Sequence, residues 1–237
     1  MSHPLPAAVL WDMDGTLVDT EPHWMAAEGP LVESFGGTWS HEKALQLVGL
    51  ALEDSARVLQ SAGVRMSAPA IVELLTDRVL ASLAESGVPF RPGARELLRA
   101  LREAGVKTAL VTMSYRRMAD RIIDLIDFDA FDVVVTGDDA NRPKPFPDPY
   151  LKAAELLGVD IRDTVAIEDS PNGIRSAVAA GGAVLGIPLM VSLVGTGAHR
   201  ILPTLDGVTP DALADLLVEH RARAAARTGA IKTGGTA

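Results

Sequence analysis

Five short apolar runs recur along the chain: "AAVLWDM" (7–13), "VKTALVTM" (106–113), "FDVVVTG" (131–137), "DTVAIED" (163–169) and "GAVLGIP" (182–188). Each is rich in Val, Ile, Leu or Ala and nearly continuous rather than alternating. That is the pattern of strands buried on both faces of a parallel sheet. Stretches of helical spacing lie between them. "GARELLRALREAG" (93–105) sets Leu97, Leu98 and Leu101 on one face and stops at Gly105. "DPYLKAAELLG" (148–158) and "SPNGIRSAVAAG" (170–181) behave alike, the second with Ser170 as N-cap and Pro171 in its first turn. Strand alternating with helix predicts an α/β fold: a doubly wound, Rossmann-like parallel sheet.

One interval breaks the alternation. Residues 20–88 hold no convincing strand, only the helix-like pieces "HWMAAEGPLVESFG" (23–36), "ALEDSARVLQSAG" (51–63) and "PAIVELLTDRVLASLAESG" (69–87). The simplest organisation is a core of 1–19 and 89–227 with an all-helical cap of 20–88 inserted after the first strand. "GVPFRPG" (87–93) is the expected return hinge, and 228–237 the expected loose tail.

In a doubly wound sheet, ligands bind beyond the carboxyl ends of the strands. The first strand ends in Asp12 and Asp14, the second in "TMS" with Thr112 and Ser114. The third leads to "NRPKPFPDP" with Lys144, and the fourth ends in Glu168 and Asp169. Four consecutive strands thus deliver acid, hydroxyl, ammonium and acid to one edge. Clustered carboxylates repel unless a cation joins them, and hard oxygen ligands suit Mg²⁺. A hydroxyl and a lysine suit a phosphate group, whose transfer depends mainly on positioning and charge neutralisation. An aspartate can be the nucleophile. A second aspartate two residues on can protonate the leaving oxygen and then activate water. Turn-forming aspartates would explain one acid but not the ordered set. An EF-hand is excluded, because its glycine would fall at Leu17.

These residues resemble the haloacid dehalogenase superfamily, among its phosphatases with a helical cap and its β-phosphoglucomutase and sugar-phosphatase-like subgroup. The motif D-x-D-G-T-L-x-D matches "DMDGTLVD" (12–19) throughout, and "ALVTMS", "RPKPFPDPY" and "IEDSPNG" match the other three motifs in order, over residues 7 to about 190. The resemblance implies roles by position. Asp12 would be nucleophile and Mg²⁺ ligand. Asp14 would be general acid and base, with its backbone carbonyl on the metal. Asp169 would be a further metal ligand, supported by Glu168. Thr112 and Lys144 would hold phosphoryl oxygens, with Ser114 adding a hydrogen bond or serving as a helix N-cap. Gly15 would permit the backbone turn and Thr16 would stabilise the loop. Glu21, Trp24 and the residues around Gly49 would give the cap its specificity.

The expected activity is Mg²⁺-dependent hydrolysis of a small phosphorylated sugar or polyol through an aspartyl-phosphate. Two alternatives stand beside it. A β-phosphoglucomutase-like enzyme would carry a histidine and a cap arginine where this chain has Trp24 and Leu52. A non-catalytic phosphate-binding module would keep the fold without turnover. A dehalogenase would not need Asp14 or Asp169, and a phosphonatase would need a cap lysine, for which Lys43 is the one residue between 20 and 88.

Composition narrows the partners. The formal charge is −9 and no Lys or Arg block is long enough to follow a nucleic-acid backbone; "RRMADR" (116–121) is the densest basic stretch. There is no cysteine, which removes disulfides and thiolate chemistry. Neither a signal-type segment nor a membrane-spanning apolar run is expected. The expectation is therefore a cytoplasmic protein, a monomer or weak homodimer, whose partner is a small phosphorylated metabolite rather than nucleic acid or membrane.

Overall fold

The computed structural model describes residues 3–139 and 141–233. Six parallel strands form one sheet: β1 (Ala8–Trp11), β2 (Lys107–Val111), β3 (Val133–Val135), β4 (Thr164–Glu168), β5 (Ala183–Gly186) and β6 (Arg200–Ile201). Their spatial order is β3-β2-β1-β4-β5-β6. β1 is central, pairing Leu10 with Ala109 on one side and with Ala166 on the other. The order reverses direction at β1, so the crevice at its carboxyl end is where such a sheet opens for a ligand.

The continuous apolar runs have their predicted cause. All of β1 is buried, and its side chains divide by parity. Val9 and Trp11 join the apolar layer of α5 (Ala94–Glu103), α6 (Arg116–Ile123) and α9 (Pro210–Thr233); Ala8 and Leu10 join that of α7 (Asp148–Leu157) and α8 (Pro171–Ala180). Helices thus cover both faces, as the doubly wound reading requires. β6 was not among the expected strands. It has two residues at the sheet edge, too few for any periodicity to show. α9 was not expected either, and it runs through the first part of the predicted tail as far as Thr233; residues 234–237 of that tail lie outside the described residues.

Between β1 and β2 the chain forms α1 (Glu21–Ser34), α2 (His41–Leu45), α3 (Leu52–Ser61) and α4 (Ala68–Ser86). The insertion is helical throughout. α4 packs on α1 and α3, and Trp24, Leu31, Leu59 and Ile71 join Met13, Leu17 and Val18 in one apolar cluster. The expected return hinge is a pinned crossing. Asp19 N–H donates to Pro89 O at 2.8 Å and Arg91 N–H to Leu17 O at 2.9 Å, with Val18 and Phe90 bridged antiparallel.

Candidate active site

The side chains expected at the sheet edge converge. Asp12 N–H donates to Ile167 O at 3.1 Å, which extends the β1–β4 ladder by one residue and delivers the Asp12 carboxylate beyond its end. Lys144 reaches it from the loop after β3. Its Nζ donates to Asp12 Oδ1 at 2.7 Å, Glu168 Oε1 at 2.6 Å and Val111 O at 2.9 Å. Three protons meet three acceptors, so the ammonium is saturated and fixed. Burial by itself would lower the Lys144 pKa. The charges and hydrogen bonds of Asp12 and Glu168 outweigh it and hold the group above the ordinary lysine range.

Glu168 is fully buried and both its oxygens have donors. Oε1 also accepts from Tyr150 Oη at 2.6 Å, and Oε2 accepts from Ser170 Oγ at 3.2 Å. The same Ser170 oxygen caps α8, accepting from Gly173 N–H at 3.1 Å. A Cβ on Gly173 would sit 1.9 Å from Glu168 Oε1, so only glycine lets the first turn of α8 lie against this carboxylate. Burial, followed by the Glu168 charge, pushes the Tyr150 hydroxyl well above its usual pKa.

The next carboxylate has fewer partners. Asp169 Oδ1 accepts from Thr16 Oγ1 at 3.5 Å, while Asp169 Oδ2 and Asp12 Oδ2 are buried with no hydrogen-bond donor among the described residues. Gly15, at φ +83°, allows this approach: a Cβ there would lie 2.1 Å from Asp169 Oδ2. Oxygen atoms of Asp12, Glu168 and Asp169 lie within 4.8 Å of one another. Burial first, then the charge of Glu168, raises Asp12 to about 7 despite Lys144, and burial with the charges of Asp12 and Glu168 raises Asp169 well above the carboxylate range. Two orphaned carboxylate oxygens in a buried, mutually repelling set are the donor chemistry of a hard divalent cation such as Mg²⁺.

Asp14 is half-buried on the other side of the turn. Its Oδ1 accepts from Thr20 Oγ1 and from Trp24 Nε1 at 3.3 Å; its Oδ2 accepts from Ser114 Oγ at 2.7 Å and from Thr112 Oγ1 at 3.4 Å. The N-cap position of α6 belongs to Tyr115, so Ser114 turns its hydroxyl to Asp14 instead of capping the helix.

The insertion supplies the facing wall. A cavity of about 80 Å³ lies between the acids and this wall, with Glu21, Trp24 and Glu28 of α1 and Gly49 among its lining. Gly49 O accepts from Asn172 Nδ2 at 3.3 Å, joining the stretch before α3 to α8. Burial, then the charges of Asp14 and Glu28, raises the Glu21 pKa to about 8. Burial raises Glu28 to about 7, although Trp39 Nε1 donates to its Oε2 at 3.2 Å. His23 is turned away, with Nδ1 2.8 Å from Ser82 Oγ, and Lys43 donates to Thr38 O at 2.9 Å on the surface.

The candidate catalytic, phosphate-binding, metal-binding and cap residues expected from the sequence thus fall around one cavity or its acid cluster, while Lys43 does not. Tyr150, Thr20, Glu28 and Trp39 were missed. Tyr150 stood six residues after Lys144 in the quoted loop motif, with nothing to show that the next helix turns it inward. Glu28 stands two helical turns after Glu21, a spacing that could have placed both on one face.

A family model described as haloacid dehalogenase-like hydrolase matches residues 6–181. Hexitol phosphatase B of Escherichia coli (strain K12) is 35% identical over 178 residues, 73% of this chain and 79% of that protein. A phosphorylated carbohydrates phosphatase of Thermotoga maritima is 31% identical over 179 residues, 73% of this chain and 81% of that protein. A variant of CbbY from Rhodobacter sphaeroides, solved in complex with xylulose-(1,5)bisphosphate, superposes with a TM-score of 0.77 at 28% identity, covering 86% of this chain and 96% of that one. The ordered acids, the fixed lysine and these matches agree: the chain belongs to the haloacid dehalogenase-like hydrolases.

Proposed function

We propose that this protein is a Mg²⁺-dependent phosphatase that hydrolyses the phosphate monoester of a small phosphorylated sugar or polyol through a covalent phosphate on Asp12. The observation that carries the reading is the pair of orphaned oxygens, Asp12 Oδ2 and Asp169 Oδ2, beside a lysine already committed to Asp12 Oδ1. Lys144 fixes the Asp12 carboxylate and leaves its second oxygen without a protein donor. The names of the two phosphatase relatives support the substrate class.

In this reading, Asp12 attacks phosphorus, the ester P–O bond breaks, and its electron pair leaves with the substrate oxygen. Asp14 supplies the proton to that oxygen. Asp14 then takes a proton from water as the water oxygen attacks phosphorus, which frees inorganic phosphate and restores Asp12. Thr112 and Ser114 orient the phosphoryl group and the Asp14 carboxyl, and Lys144 fixes Asp12 and sets its positive charge beside the phosphoryl group. Asp12, Asp169 and the Asp14 carbonyl would hold Mg²⁺, which supplies positive charge against the acids and the phosphoryl oxygens. Glu168, both of whose oxygens already accept hydrogen bonds, positions Lys144 and Tyr150. Residues 1–19 and 89–227 act as the catalytic core, and 20–88 as a cap that excludes water and reads the organic part of the substrate.

The test is phosphate release from a panel of phosphorylated sugars, polyols and nucleotides, with Mg²⁺ and with chelator, using Asp12→Asn as blank. Release should require Mg²⁺ and fall by at least about a thousandfold in the variant. Undiminished turnover by Asp12→Asn would sink the mechanism.

A further inference from the structure

The cavity wall contributed by the helical insertion is acidic and carries no cation among its described lining residues. Glu21 and Glu28 face the cavity from α1 with Ser55 beside them, and the remainder of that wall is mainly apolar. Neither acid is an exposed surface group: Glu21 is 8% exposed and Glu28 5%. Glu21 accepts no described hydrogen bond, although it is buried in the wall of the cavity. Glu28 has one oxygen on Trp39 Nε1 and leaves the other uncommitted. Both acids thus present hydrogen-bonding capacity to the cavity.

Charge decides what kind of ligand fits. The core side of the cavity already presents Asp12, Asp14 and Asp169, and its one lysine is saturated by three acceptors. A second anionic group on a substrate would leave water to face Glu21 and Glu28 with nothing to neutralise it. A hydroxyl group meets no such penalty, because it can donate to a carboxylate or accept from a carboxyl. The raised pKa of both acids adds to this, since a protonated carboxyl serves as donor as well as acceptor.

We infer that Glu21 and Glu28 form a hydroxyl-reading wall that selects monophosphates with an uncharged, polyhydroxylated tail and rejects those that carry a second anionic group. This rests on the phosphatase reading above and deepens it. The residues assign specificity rather than chemistry, so their loss should alter which substrate is preferred while the phosphoryl-transfer groups stay in place.

The experiment compares two open-chain six-carbon monophosphates that differ only at the far end. Glucitol 6-phosphate ends in a hydroxymethyl group, gluconate 6-phosphate in a carboxylate. Both are assayed as kcat/KM by phosphate release, with p-nitrophenyl phosphate as a tail-free control. The wild-type protein should favour glucitol 6-phosphate by about tenfold or more. Glu28→Lys should narrow or invert that preference. Glu28→Gln and Glu21→Gln, which keep the shape of the wall, should each narrow it by about threefold or more if the lysine variant does not fold. Hydrolysis of p-nitrophenyl phosphate with equal use of both six-carbon substrates would overturn the inference and leave the phosphatase reading intact. So would a preference that both glutamine variants keep unchanged. No release from any of the three, with Mg²⁺ present, would overturn the phosphatase reading and the inference with it.

Discussion

Lys144 makes three hydrogen bonds to acceptors from three different parts of the chain, and this determines how its neighbours respond to substitution. Tyr150→Phe removes a donor from fully buried Glu168 but leaves Lys144 in place. The expected cost is about 1–2 kcal/mol of stability, with the loss of one buried hydrogen bond as its cause. Chemical denaturation measures it, and an unchanged midpoint would show that the Tyr150–Glu168 contact contributes nothing. Glu28 gives a pH prediction. Its pKa lies near 7 in the fold against 4.5 normally, so between those values the folded protein holds a proton that the unfolded chain releases. Stability from this group is therefore fully present below about pH 4.5 and is lost as pH rises through about 7. Glu28→Gln should raise the melting temperature by roughly 2–4 °C at pH 8 and by much less at pH 5, in thermal melts without metal. An equal change at both pH values would contradict the buried, raised state of Glu28. At this scale the sequence was informative where residue type and order carry the chemistry. The convergence of Asp12, Asp14, Lys144 and Asp169 at one edge of the sheet was read that way. Tyr150 and Glu28 were not, because a tyrosine on a helix and a glutamate two turns along another are ordinary until tertiary packing buries them.

At the scale of elements, the strands that lie within the sheet were legible because both faces are buried and leave a continuous apolar run. β6 was invisible because two edge residues carry no period. α9 was missed because its later turns, "RARAAARTG", lack the apolar stripe that marks a packed helix. The interface between α4 and α6 was also hidden. Arg117 of α6 pairs with Asp77 and, at 2.9 Å, with Glu73 of α4, bridging the insertion to the sheet layer. All three side chains are substantially exposed, so each ion pair contributes little, about 0–1 kcal/mol. Arg117→Ala should thus leave the melting temperature within about 2 °C of wild type. It should nevertheless speed amide hydrogen exchange through residues 47–52, the part of the insertion that faces the core across the cavity. Unchanged exchange there would show that this pair does not hold the insertion closed.

At the scale of the whole molecule, the insertion walls one side of the candidate site, and in the proposed reading substrate enters as the insertion swings away from the core. The chain has no cysteine, which allows a clean test. Asp77→Cys and Arg117→Cys, joined by a bis-maleimide linker, should lose more than about tenfold in kcat, while each single variant treated alike should not. Full activity of the bridged protein would show that substrates enter without this motion. Among the described residues no helix is long and apolar enough to cross a membrane. The overall plan was readable because a long strand-free interval between two buried strands has few arrangements open to it. A cap over the site was expected from the family resemblance, but the contacts that place it there join residues far apart in the chain and could not be read from the sequence.

The crossing at Asp19–Pro89 and Leu17–Arg91 has a consequence for how such a molecule can change over time. The outgoing and returning chains lie side by side, one hydrogen bond apart, so the helical insertion begins and ends at nearly a single point. A segment with adjoining ends can be lengthened, shortened or exchanged without moving the sheet that carries the acids. In the proposed reading the junction works as a socket: the acids stay with the sheet, and a new substrate range can be installed by replacing what is plugged into it.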